Sequence, residues 1–124
     1  MIRKVTLAAV GVALAAVFAF AQEAEKKPFK VTGYVIDNMC ASGMHGMEED
    51  ASKHPNACSL MPACEKSGFA VVSGDKTYKL DEQGNKLAAE ALKAAKTKKG
   101  LKVDVEGTLE GDTLHAAKLT AAAQ

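Results

Sequence analysis

From Phe29 to Ile36 apolar and polar positions alternate. Phe29, Val31, Gly33 and Val35 fall on one face, and Lys30, Thr32, Tyr34 and Ile36 on the other. This period of two predicts a first strand, with Gly33 marking a bend or bulge. The period is lost from Asp37 to Ala57, where Gly, Ser, Asn, Pro and acidic residues predict a long irregular loop. Ser59 to Lys66 reads as a short helix. Ser59 is its expected N-cap, Pro62 sits in the tolerant first turn, and Gly68 supplies the left-handed C-terminal position. Phe69–Val72 and Lys76–Leu80 form a hairpin about Ser73-Gly74-Asp75.

Asn85 is then expected to cap an Ala-rich helix whose stripe is Leu87, Ala91 and Ala95. Lys93, Lys96, Lys98 and Lys99 crowd its C-terminal end, where cations suit the helix dipole, and Gly100 ends it. Leu101, Val103, Val105, Gly107 and Leu109 alternate with polar residues as a fourth strand, and Thr113 to Leu119 makes a fifth. The resulting class is mainly β. Five strands in the order β-β-β-α-β-β predict an OB-like barrel with an inserted short helix between the first two strands. An open α+β sheet has the same element order and is the alternative. The domain spans 29–120, between a flexible leader at 22–28 and a fraying tail at 121–124.

The N-terminus changes what a cysteine means. Arg3 and Lys4 precede an apolar run that ends in Ala19-Phe20-Ala21, the pattern of a secretory signal cleaved after residue 21. The apolar run is short for a span of ~20 residues, so no stable membrane anchor is expected. A periplasmic or secreted domain of about one hundred residues follows. Without Arg3 and Lys4 it carries 14 basic and 15 acidic side chains. That balance gives no footing for nucleic acid, and the stacking aromatics an oligonucleotide needs are too few. The expected partner is a metal ion or an envelope protein. Small exported domains commonly need a staple, either disulfide or metal, and three cysteines leave one unpaired in any single bridge.

The chemistry concentrates in H-P-N-A-C-S-L-M-P-A-C-E-K-S-G, His54 to Gly68, and in D-N-M-C upstream. Cys40, His54, Cys58 and Cys64 form a Cys3His set that suits tetrahedral zinc. Met61 adds a thioether, and Met39, Met44 and Met47 lie nearby, which favours Cu(I) ahead of zinc. Methionine also fills irregular cores, which is the structural reading of the same residues. Asp37 and His45 are the candidates for orienting a ligand from behind. The same cysteines also read as a disulfide. A Cys58–Cys64 bond along a continuous helix would span ~9 Å between Cα atoms, beyond the ~7 Å limit. Cys40 with Cys64 or Cys58 is easier, closing a loop worth about 3 kcal/mol in the loop-entropy model. A thiolate beside His54 would be nucleophilic, which makes a thiol redox protein the third reading. No oxyanion-hole motif or orienting third group is readable, so no catalytic residue is assigned.

Four stretches carry a resemblance: G-Y-V-I-D-N-M-C, H-x3-C-x2-M-x2-C-x3-G, F-A-V-V-S-G-D-K-T-Y-K-L and V-E-G-T-L-E-G-D-T-L. Together they resemble a family of small exported bacterial proteins of unknown function, across nearly all of the chain after residue 21. Cys40, His54, Cys58, Met61, Cys64 and Gly68 fit its motif. The resemblance implies a secreted β-rich domain with a Cys/His cluster and no particular activity. Elsewhere, His115 on the last strand reads as a rim residue. Glu48, Glu49 and Asp50 read as a solvated loop face.

Overall fold

In the computed structural model, which describes residues 27–43 and 48–123, the alternating segments become strands. β1 is Lys27–Asp37, β2 Phe69–Ser73, β3 Lys76–Leu80, β4 Lys102–Glu110 and β5 Thr113–Ala121. They form one mainly β sheet that closes on itself in the order β1-β2-β3-β5-β4. All neighbours are antiparallel except β3 and β5, which meet in parallel through Lys79↔Thr113 and Leu80↔Leu114. The expected signal segment and residues 22–26 of the leader lie outside the described residues.

Ring closure puts one face of each strand inside. Val35, Phe69, Val71, Leu80, Val103, Val105, Leu114 and Ala116 form the core with Ala88, Leu92 and Leu101. β1 pairs with β4 through residues 27–34 and with β2 through 34–37. Gly33 sits at that handover. A Cβ there would collide with the Val72 carbonyl oxygen, so the residue permits close approach of two backbones. The register irregularity lies instead between Glu106 and Gly107 on β4.

Several boundaries differ from expectation. β1 begins at Lys27, inside the expected leader, and β5 reaches Ala121, where fraying was expected, because Asp104, Val103 and Lys102 still pair with Thr120, Ala121 and Ala122. The long helix, Glu82–Ala94, starts earlier than expected. Its cap is Asp81, whose carboxylate accepts from the Gly84 N–H at 2.9 Å. Asn85 lies within the helix and instead accepts the Phe69 N–H at 2.8 Å. The fully buried stripe is Gly84, Ala88 and Leu92, while Leu87, Ala91 and Ala95 are half-buried.

The insertion after β1 is helical. α1 (Asn38–Gly43), α2 (Glu48–Lys53), α3 (Asn56–Ser59) and α4 (Pro62–Lys66) precede β2, and α5 is the long helix, Glu82–Ala94. None of the first four is long enough to be stable alone; tertiary contacts hold them. α2 lays Ala51 over Ile36 and Val72, sealing the outer face of β1 and β2. Pro62 opens α4 as expected, but the N-cap is Met61. Ser59 ends α3 and is fully buried. Gly68 follows α4 with φ +82°, the left-handed geometry expected of it. No helix among the described residues is long and apolar enough to cross a membrane.

Candidate metal centre

The last residue of β1 anchors the site. Asp37 is buried to 0% exposure, and its Oδ2 accepts the Cys40 N–H at 2.9 Å, capping α1. Its Oδ1 accepts the Ser59 hydroxyl at 3.0 Å. This ties the start of the insertion to α3. A second set of bonds ties it to α4. The Asn38 amide donates to the Ser67 carbonyl at 2.8 Å, the Asn38 N–H to the Gly68 carbonyl at 2.9 Å, and the Ser67 hydroxyl to the Cys64 carbonyl at 2.6 Å.

Cys40 on α1 and Cys64 on α4 are thereby brought together over Asp37. One carboxylate oxygen and the two sulfurs all lie within 4.8 Å of one another. Both thiols are half-buried. Burial pushes Cys40 up from the ordinary 9.0 to about 11, reinforced by its thiol hydrogen bond to Asp37 and that carboxylate's charge. Burial and the Asp37 charge likewise raise Cys64, while a contact with the Cys40 thiol opposes them. For Asp37 itself burial acts upward, but the hydrogen bonds from Cys40 and Ser59 outweigh it and hold the carboxyl below its ordinary value. A carboxylate therefore faces two protonated thiols. A cation entering here would have to displace two thiol protons and would gain two thiolates and a carboxylate.

His54 approaches the same carboxylate from behind. Its backbone is pinned to the segment before β4: the His54 carbonyl accepts the Gly100 N–H at 3.0 Å, and Asn56 holds Thr97 and Lys98. The imidazole is nine-tenths buried, with Nε2 3.3 Å from Asp37 Oδ1. That approach is off the line a hydrogen bond requires, and Nε2 has no hydrogen-bond partner among the described residues. A buried ring nitrogen without a partner carries a desolvation cost that a metal or a small shift toward Asp37 removes.

Of the residues singled out from the sequence, Cys40 and Cys64 converge on Asp37, His54 lies against the Asp37 carboxylate, and neither His54 nor Cys58 belongs to the tight group. Cys58, on α3, is half-buried and close enough for its charge to raise both other thiols. Met61 is 56% exposed and Met39 55% exposed. His45, Met44 and Met47 lie outside the described residues. All three cysteines carry free thiols. Asp37, expected to orient a ligand, itself meets the two sulfurs, and His54 Nε2 lies 3.3 Å from its Oδ1. Ser59 was missed as a partner of Asp37, because it looked like a helix cap. The available signal was D-x-x-C, where an Asp three residues before an N–H is in capping position.

A cavity of about 630 Å³ lies elsewhere, between α5 and the ends of β4 and β5. Leu87, Ala91, Leu101 and Leu119 line it, with Glu90 and Lys96 as its charged side chains. It offers no thiol or imidazole. The chain matches no family model, no curated protein and no solved structure.

Proposed function

We propose that this chain is an exported OB-like module that binds one soft or borderline metal ion. The observation that carries the reading is the meeting of Asp37, Cys40 and Cys64 within 4.8 Å, with the buried His54 Nε2 3.3 Å from Asp37 and without a hydrogen-bond partner among the described residues. Ligands ~2.3 Å from a tetrahedral zinc stand about 3.8 Å apart, so closure needs a contraction of about an ångström at most. Cys40, Cys64 and Asp37 are the first three ligands. His54 or Cys58 supplies the fourth.

Zinc now ranks ahead of copper. A hard carboxylate oxygen sits among the sulfurs, and Cu(I) prefers sulfur alone. The thioether of Met61, the best argument for copper, faces solvent. The strand order, with parallel contact between the third and fifth strands and a helix between the third and fourth, supports the OB-like reading. The signal-like N-terminus supports export, and the family resemblance supports a Cys/His site without indicating an activity.

A disulfide-stapled envelope domain is the second reading, favoured by the proximity of the Cys40 and Cys64 sulfurs. A thiol redox protein is third. Raised thiols make exchange slow, which ranks a turnover redox enzyme last. Native mass spectrometry of protein purified without chelator or reductant tests the first reading. One zinc or copper per chain, lost in Cys64→Ser and kept in Met61→Leu, is the expected result. A chain that carries no ion, even after zinc is supplied, overturns it.

A further inference from the structure

We propose that the Cys40–Cys64 pair is a redox switch on the metal: the reduced pair holds the ion, and the same two sulfurs, joined as a disulfide, release it. This rests on the metal reading above. The two sulfurs lie within 4.8 Å of each other, on separate short helices that meet over Asp37. α1 seats Cys40 and Ala41 against Ile36, Ala51 and Val72, and neither helix is itself part of the strand ladder. The bonds that join them run through Asn38 and Ser67 at their ends, leaving side chains of Cys40 and Cys64 to close the remaining gap.

Bridge formation needs an oxidant, and the chemistry of an exported thiol pair calls for a disulfide. One protein thiolate attacks a sulfur of the oxidant RSSR, forming a mixed disulfide and expelling RS⁻. The second protein thiolate then displaces the other RS⁻. One S–S bond breaks in the oxidant and one forms in the protein. Two electrons pass from the protein dithiol to the oxidant, and the two thiol protons end on two RSH. A disulfide sulfur bears no charge and is a poor ligand, so the centre loses two of its donors at once.

Cys58 is outside the switch. It is the odd thiol of the three, and it remains free when the bridge is closed. The distinction separates the proposal from a general tendency of clustered thiols to oxidise.

Glutathione disulfide, added to the reduced protein with and without zinc, is the test. Bridges are located by alkylation and peptide mass mapping at successive times. The expected product is a single Cys40–Cys64 bridge, with Cys58 alkylated in wild type, and the same bridge with no thiol left to alkylate in the Cys58→Ser control. With free zinc about 100-fold above its Kd, the bridge forms about 100-fold more slowly, because only ion-free protein reacts. The bridged form takes up no zinc until it is reduced. A bridge through Cys58, or three thiols alkylated at every time point, overturns the switch; if zinc still binds, the metal reading stands alone. A Cys40–Cys64 bridge that forms equally fast in saturating zinc overturns the metal reading and the switch together, leaving a staple.

Discussion

Asp37 and Asp81 occupy matching places. Asp37 ends β1 and Asp81 directly follows β3; each accepts an N–H three residues on (Cys40 and Gly84), and each has a histidine beside it (His54 and His115). The surroundings then diverge. Asp81 is about one quarter exposed; its Oδ1 also accepts the Ala116 N–H, its Oδ2 lies 3.5 Å from His115 Nδ1, and His115 Nε2 meets Glu110 at 3.0 Å. There His115 Nε2 has a hydrogen-bond partner in Glu110. Asp37 is fully buried and faces two sulfurs, and His54 Nε2 has no hydrogen-bond partner among the described residues. The same strand-end device serves as a helix clamp in one place and as the floor of a thiol cluster in the other. What differs is the helix that follows: thirteen residues of α5 give the first a rigid partner, whereas the second faces short helices that bring cysteines.

The comparison breaks most readily at the sulfurs. Cys64→Ser should abolish zinc uptake, a loss of at least about 100-fold in affinity measured by chelator competition, because one of two thiolates is gone. His115→Ala should leave uptake unchanged. Stability separates the carboxylates next. Asp37→Ala should cost about 3 kcal/mol in denaturant unfolding, since it strands the Cys40 N–H and the Ser59 hydroxyl in a buried site. Asp81→Ala should cost about 1 kcal/mol, the usual loss of a helix cap with water at hand. If the two costs were equal, burial would not distinguish the sites.

The pH dependence sharpens the contrast. Asp37 has a folded value below its ordinary 3.8, so its stabilisation is present above that value and is lost as pH falls through the lower, folded one. Cys40 has the opposite sign. Its folded value is raised from 9.0 to about 11, so its contribution is full below 9 and is lost as pH rises through that window. Metal-free protein should therefore lose stability on the alkaline side, and Cys40→Ala should flatten that limb in unfolding midpoints. Zinc reverses the picture by favouring thiolate: uptake should weaken about tenfold per pH unit of acidification for each thiol proton displaced. A further contrast lies at His54. His54→Ala should lower zinc affinity by about 10- to 100-fold, whether it ligates or orients Asp37, with little change in folding.

Much of the sheet was legible because period two is a local signal. Val103 and Val105 are buried where the alternation put them, and Gly68 and Gly74 adopt the positive φ their turns require. The start of α5 was not legible. Asp81 and Asn85 are both good caps, and the choice fell to Asp81 because Asn85 is held by the Phe69 N–H across the fold. The insertion was harder still. α1 to α4 are too short to carry a periodic pattern, and their positions come from long-range bonds such as Asn38 to Ser67. The cysteines and His54 stood out by residue type and spacing. The central role of Asp37 did not, because it depends on bonds to Cys40 and Ser59 and on the return of Cys64 from far along the chain.

Cobalt(II) titration of the reduced protein, followed by absorption, tests the central claim most directly. Cobalt substitutes for zinc and reports its ligands by colour. The account predicts a thiolate-to-cobalt charge-transfer band and intense tetrahedral visible bands, saturating at one ion per chain. Both should vanish in Cys64→Ser and persist in His115→Ala. A weak, octahedral aquo-like spectrum without charge transfer would contradict it, since no sulfur would then be holding the ion.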